Sequence, residues 1–137
     1  MNKINILLLL SGILFIASAC GPNPRKARIH LENAIEKIYM AKFDEAMREL
    51  ELVLRYDPNS HEGYYYRGAC KRNLGDVDGA MEDFQKSIEK NPRYAEPYFG
   101  IALIYELRQD RDSACSYYIK AEELGKPNLE DYTKWCK

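Results

Sequence analysis

The sequence predicts an all-α protein, an α-solenoid of three helix-turn-helix units, and three observations carry that expectation. Residues of like kind recur every 34 positions: Ala46, Ala80 and Ala114; Asp44, Asp78 and Asp112; Leu50, Phe84 and Tyr118; Ala34, Gly68 and Ala102. A fixed period of this length marks a stacked array whose single unit is too small to bury its own apolar face. Within a unit, apolar residues fall three and four apart, as in Val77, Ala80, Met81, Phe84 and Ile88, which puts them on one side of a helix. Punctuation repeats as well. Gly75-Asp76 divides the middle unit, and Pro58 and Pro92 close successive units, because proline disfavours helix in the residue before it.

Along the chain, residues 1–19 come first. Lys3, an apolar run from Ile4 to Ile16 and the small residues Ala17, Ser18 and Ala19 read as a secretory signal peptide. The run is short for a bilayer span and has no cationic stop-transfer flank immediately after it. Its removal takes Lys3 away and moves the formal net charge from −1 to −2. Residues 20–26 follow as a tether, since two prolines and a glycine among Gly21–Lys26 argue against a packed element.

The first unit spans residues 27–60, with helices expected over Ala27–Met40 and Phe43–Tyr56. The second spans 61–94, with helices over His61–Leu74 and Val77–Lys90. The third spans 95–127, with helices over Ala95–Leu107 and Arg111–Leu124; its Pro127 sits one place late, which marks the end of the array. Small residues have a steric purpose here. Ala34, Gly68 and Ala102 on the first helices face Ala46, Ala80 and Ala114 on the second, where a larger side chain would hold the backbones apart. Leu50, Phe84 and Tyr118 then fill the space toward the next unit.

Composition narrows the function. There is no basic excess to attract nucleic acid and no charge block suggesting an acidic tail. Eleven tyrosines supply apolar area with a polar tip, which suits helix seams and binding grooves alike. Catalysis finds little support: His30 and His61 form no metal-ligand pair, and no GxSxG, phosphate loop or dinucleotide fingerprint occurs. Cys70 and His61 are nine residues apart on one helix, roughly 13.5 Å along its axis, too far for a direct hydrogen bond. No two cysteines have CxxC spacing. The expectation is a non-enzymatic protein with no metal and no cofactor.

Ala17-Ser18-Ala19-Cys20 resembles the bacterial lipobox, although Ala17 stands where a bulky aliphatic residue is usual. The resemblance implies that Cys20 is acylated and becomes the first residue of a lipid-anchored protein of the bacterial cell envelope, at the outer membrane facing the periplasm. Two or three chains would anchor it stably, at roughly 0.8 kcal/mol per buried methylene. Plain cleavage after Ala19, leaving a free thiol, is the other reading.

The repeats are similar to those of tetratricopeptide repeat proteins. Tyr64, Gly68, Ala80, Phe84 and Pro92 occupy the family's signature places in the middle unit, and Tyr98, Ala102, Tyr105, Ala114, Tyr118 and Ala121 do so in the third. The first unit is looser, with His30 at an aromatic place. The resemblance implies that residues 128–137 form a capping helix covering the last apolar face with Leu129, Tyr132 and Trp135. It also implies a concave groove lined by the first helices, which binds a peptide or protein partner. From the first unit the groove would take Arg28, Leu31, Ile35, Ile38 and Tyr39. The second would give Glu62, Tyr65, Ala69, Arg72 and Asn73, and the third Glu96, Phe99, Leu103, Glu106 and Leu107. Tyr65, Arg72, Asn73, Phe99, Leu103 and Glu106 are the candidate partner-binding residues. The family's cationic clamp for a carboxylate terminus is missing, because its places hold Leu31, Ile35, Tyr66, Glu96 and Gly100. A scaffold or oligomerisation subunit without a groove ligand is the alternative. In an oxidising compartment Cys115 and the cap's Cys136 are free to bridge, closing a loop of about 20 residues for roughly 3 kcal/mol. Two free thiols are the other outcome.

Overall fold

The computed structural model of the protein describes residues 21–136. The proposed signal segment and Cys20 lie outside the described residues. Within them are α1 (Pro24–Tyr39), α2 (Phe43–Tyr56), α3 (His61–Asn73), α4 (Val77–Lys90), α5 (Glu96–Leu107), α6 (Arg111–Glu123) and the single turn α7 (Glu130–Thr133). Helices α1 and α2, α3 and α4, and α5 and α6 pair as three helix-turn-helix units, and each second helix packs on the next unit's first helix.

The turns inside the units share one construction. In each, the second residue after the first helix takes positive φ: Ala41 at 55°, Gly75 at 91° and Gln109 at 59°. The amide of that residue bonds three back, and the next amide bonds five back: Gly75 N–H to Arg72 O at 3.1 Å, Asp76 N–H to Lys71 O at 2.9 Å. This satisfies carbonyls that a helix end leaves without partners. Only the middle unit has glycine there, so the other two hold an L residue in a region it disfavours. The second helices of the middle and last units then start on aspartate caps, Asp76 accepting from Gly79 N–H at 2.9 Å and Asp110 from Ser113 N–H at 3.1 Å. Lys42, in the same place of the first unit, makes no such bond.

The helix crossings are built on the small residues. Ala34, Ala46, Ala80 and Ala102 are fully buried, and Gly68 lies against Phe84. Phe84, 1% exposed, plugs the seam between the second and third units. A Cβ on Gly68 would come within 2.9 Å of its ring, and one on Gly100 within 2.7 Å. Burying such a ring contributes about 1.5–3 kcal/mol, and it fits only because two helices carry no side chain beneath it.

One buried charge braces the middle unit. Asp83 on α4 is 1% exposed and takes a two-pronged bond from Arg67, Nε at 2.8 Å and Nη2 at 2.7 Å, plus Lys71 Nζ at 2.9 Å. Burial pushes the Asp83 carboxyl upward, but the bonds from Arg67 and Lys71 outweigh it and hold the group below the usual aspartate range.

The termini differ from expectation in two places. The tether is shorter than residues 20–26, because α1 begins at Pro24. Asn23 accepts from Lys26 N–H at 3.0 Å and Pro24 fills the first helical position, where its missing N–H costs nothing. The cap is one turn of helix, and Trp135 does not cover the array end; it is 72% exposed. Leu129 and Thr133 face inward with Cys136 following, a four-then-three spacing that defines one helix side, and Trp135 falls off that side.

Candidate functional site

Helices α1, α3 and α5 touch in series, so their outward side chains make one continuous face. On that face an open cleft of about 480 Å³ lies between α3 and α5, lined by Arg72, Leu103, Glu106 and Leu107. Three of the six candidate partner residues, Arg72, Leu103 and Glu106, therefore meet at one place. Leu107 is 66% exposed and adds apolar surface to the rim of the cleft. Among the described residues Arg72 has no ion pair and no side-chain hydrogen bond. Glu106 is held from beneath: the buried Tyr118 hydroxyl donates to its carboxylate at 2.7 Å. Burial and that carboxylate together push the Tyr118 phenol far up, so it stays a donor.

The other candidates sit differently. Asn73 is exposed, and its amide donates to its own helix at Ala69 O, 2.8 Å away. Tyr65 is wedged among rings, edge-on to Tyr66 at 4.9 Å and Tyr94 at 5.5 Å and tilted on Phe84 at 6.0 Å. Burial pushes its phenol up to about 12. Phe99 lies under the cap, with Tyr132 edge-on at 5.4 Å and Lys126 Nζ 5.0 Å from its ring centre. Leu31 is not a groove residue: it is 5% exposed and belongs to the core of the first unit, beside Ala34 and Leu50. Tyr39, by contrast, is 87% exposed.

Sequence reasoning named Tyr66 only as the occupant of a clamp place, and passed over Tyr94 and Lys126. Periodicity gave no signal for Tyr94, whose place 34 residues earlier holds the helix cap Ser60. Lys126 similarly corresponds to Pro92.

The cysteines divide into a bridge and a buried thiol. Cys115 on α6 and Cys136 after α7 are bonded, with Cα atoms 5.2 Å apart, which ties the cap to the last unit. Cys70 is fully buried, and burial pushes its thiol up to about 11, leaving an inert side chain. No group of three His, Cys, Asp or Glu among the described residues is placed to hold a metal. No helix among them is long and apolar enough to cross a membrane.

Comparison with known proteins agrees with this geometry. Residues 61–94 and 95–124 each match a family model described as tetratricopeptide repeat. A TPR repeat-containing protein of Methanocaldococcus jannaschii is 28% identical over 83 residues, covering 59% of this chain and 15% of that protein. Hsp70-Hsp90 organizing protein 2 of Arabidopsis thaliana is 28% identical over 79 residues, covering 58% of this chain and 14% of that protein. The chain thus spans about one seventh of these relatives. Among solved structures, the first TPR of Spaghetti bound to an HSP90 peptide superposes with a TM-score of 0.76 at 20% identity, covering 83% of this chain and 92% of that one. The Yersinia enterocolitica type III secretion translocator chaperone SycD gives 0.72 at 16% identity, covering 82% and 87%.

Proposed function

We propose that this chain, whose residues 61–124 are tetratricopeptide repeats, is a non-enzymatic adaptor that holds a peptide or protein partner on its first-helix face. The carrying observation is the cleft of Arg72, Leu103, Glu106 and Leu107, where a cation with no ion pair among the described residues stands beside exposed aliphatic surface. An amphipathic helix or extended segment fits that combination, with an apolar side chain between the leucines and a polar group at Arg72. Spaghetti and SycD have been solved with an HSP90 peptide and with a translocator peptide respectively. The HSP90 ligand does not transfer to this chain, because Leu31, Ile35, Tyr66, Glu96 and Gly100 stand at the clamp places. In the same reading Cys20 carries acyl chains and holds the adaptor on a bacterial envelope membrane, with residues 21–23 as the remaining spacer before α1.

Co-purification from envelope membranes tests this, comparing the wild type with Leu103→Asp and Leu107→Asp. A partner retained by the wild type and lost from both variants supports the groove; retention by all three contradicts it. Metabolic labelling with an alkyne fatty acid, lost in Cys20→Ser, tests the anchor separately. The exposed Trp135, beside a 340 Å³ cleft with Asp131 and Tyr132 at the array end, favours a second reading, a scaffold that stacks through its C-terminal end. That reading predicts retention lost in Trp135→Glu instead.

A further inference from the structure

At the opposite end of the first-helix face from Leu107, near the starts of α3 and α5, tyrosine rings and carboxylates gather. Tyr65, Tyr66 and Tyr94 form a chain of edge contacts, 4.9 Å and 5.5 Å between ring centres, and His61 closes it edge-on to Tyr94 at 4.9 Å. Glu62 and Glu96 begin the two helices alongside. Burial, then the Glu62 carboxylate at Tyr66 and the neighbouring phenols at Tyr94, with Glu96 acting on both, push these two phenols up. On α3 itself the groove cation Arg72 lies seven residues beyond Tyr65, roughly 10 Å along the axis.

The repeat itself indicates what such a site accepts. Glu62 and Glu96 are 34 apart, and so are Tyr65 and Phe99. In the third unit a cation fills the Glu-plus-ring arrangement: Lys126 Nζ lies 5.0 Å from the Phe99 ring centre and 3.4 Å from Glu96 Oε1. One unit earlier the place of Lys126 is taken by Pro92, which brings no charge. Glu62 is half-buried and has no ion pair among the described residues. The same carboxylate and aromatic face therefore recur without their cation.

We infer that Glu62, Tyr65 and Tyr66, with Tyr94 behind them, are a binding site for a basic side chain, lysine or arginine, of the partner segment that occupies the groove. The ring faces and the carboxylate attract an ammonium or guanidinium group, as they do Lys126 next door. The groove then has two chemically distinct ends. A basic residue seats at the tyrosines, and an apolar one seats between Leu103 and Leu107 further along. That sets the direction in which the segment lies.

The inference rests on the proposed groove function, and one selection separates the two. Random short peptides displayed on phage are selected against the full chain in non-ionic detergent, then against Glu62→Lys, Glu62→Gln, Tyr66→Leu and Leu103→Asp, each checked for native circular dichroism. The expected result is Lys and Arg enriched about fivefold at one register of the wild-type set, the preference worth about 1 kcal/mol. That enrichment is lost with Glu62→Gln, reversed toward acidic residues with Glu62→Lys and weakened with Tyr66→Leu. Peptides that need Leu103 but show no basic preference overturn the basic site and leave the groove standing. Peptides indifferent to Leu103→Asp overturn the groove, and the site with it.

Discussion

Replacing Asp83 by Asn should be the most damaging single-atom change in the middle unit. The side chain is 1% exposed and takes three bonds of 2.7–2.9 Å from two cations, themselves 21% exposed. Asparagine keeps the volume and one acceptor oxygen but removes the charge and turns the other oxygen into an NH2 donor, so Arg67 and Lys71 are left facing each other without their counter-ion. Breaking a buried pair in this way costs about 3–5 kcal/mol. Because both cations can still reach water, the lower figure applies, about 3 kcal/mol. With a urea slope near 1.5 kcal/mol per molar, the unfolding midpoint should fall by about 2 M. Acid should act in the same direction. The folded Asp83 sits below its unfolded value, so its contribution is full above the ordinary aspartate range and is lost as pH falls through the folded pKa. The triple variant Arg67→Met, Lys71→Leu, Asp83→Leu separates charge from packing, since an apolar replacement of the whole group is often neutral or better. Urea melts followed by circular dichroism decide the matter. A loss under about 1 kcal/mol in Asp83→Asn, or an equal loss in the triple variant, would refute the reasoning.

Other consequences follow from the turns and the thiols. Ala41→Gly and Gln109→Gly should each stabilise the protein by about 1 kcal/mol by relieving a left-handed L residue, while Gly75→Ala should destabilise by a similar amount; thermal melts read all three. Cys136→Ser opens a loop of sequence separation 21 and should cost about 3 kcal/mol. It should also raise hydrogen exchange in residues 126–136, where Tyr132 and Lys126 cover Phe99. Cys70 should resist iodoacetamide at pH 8 in the native protein, because its thiol is buried and pushed up to about 11. Peptide mass spectrometry that finds Cys70 alkylated as fast as in urea would contradict its burial.

The repeat made most of the backbone legible. Helices α2 and α4 have the limits the sequence suggested, Phe43–Tyr56 and Val77–Lys90, because a turn residue before and a proline after each bound it physically. The start of α1 was obscured by reading Pro24 as a breaker, although a proline behind an asparagine is also a helix-start signal. At the far end the spacing of Leu129, Thr133 and Cys136 sets which side faces inward, and apolar character alone misassigned Trp135. The face of the first helices was legible in the same partial way. Register puts Arg72, Leu103 and Glu106 on one side, and they do line one cleft. It says nothing of what crosses over a residue. Phe99 lies beneath Tyr132 of the cap and Lys126 from the end of the third unit, and Tyr65 abuts Tyr94 from a loop. Leu31 turned inward because it falls four after Ala27 and three before Ala34, on the side of α1 that packs into the first unit's core.

The central claim is that the first-helix face engages a partner, and photo-crosslinking in envelope membranes tests it most directly. A photo-reactive residue would replace Leu107, which is 66% exposed beside the cleft, with the exposed Glu82 on α4 as the control. One dominant adduct at Leu107, absent at Glu82 and abolished by Arg72→Glu, is the result this account predicts. Equal labelling at both positions, or none at Leu107, would contradict it.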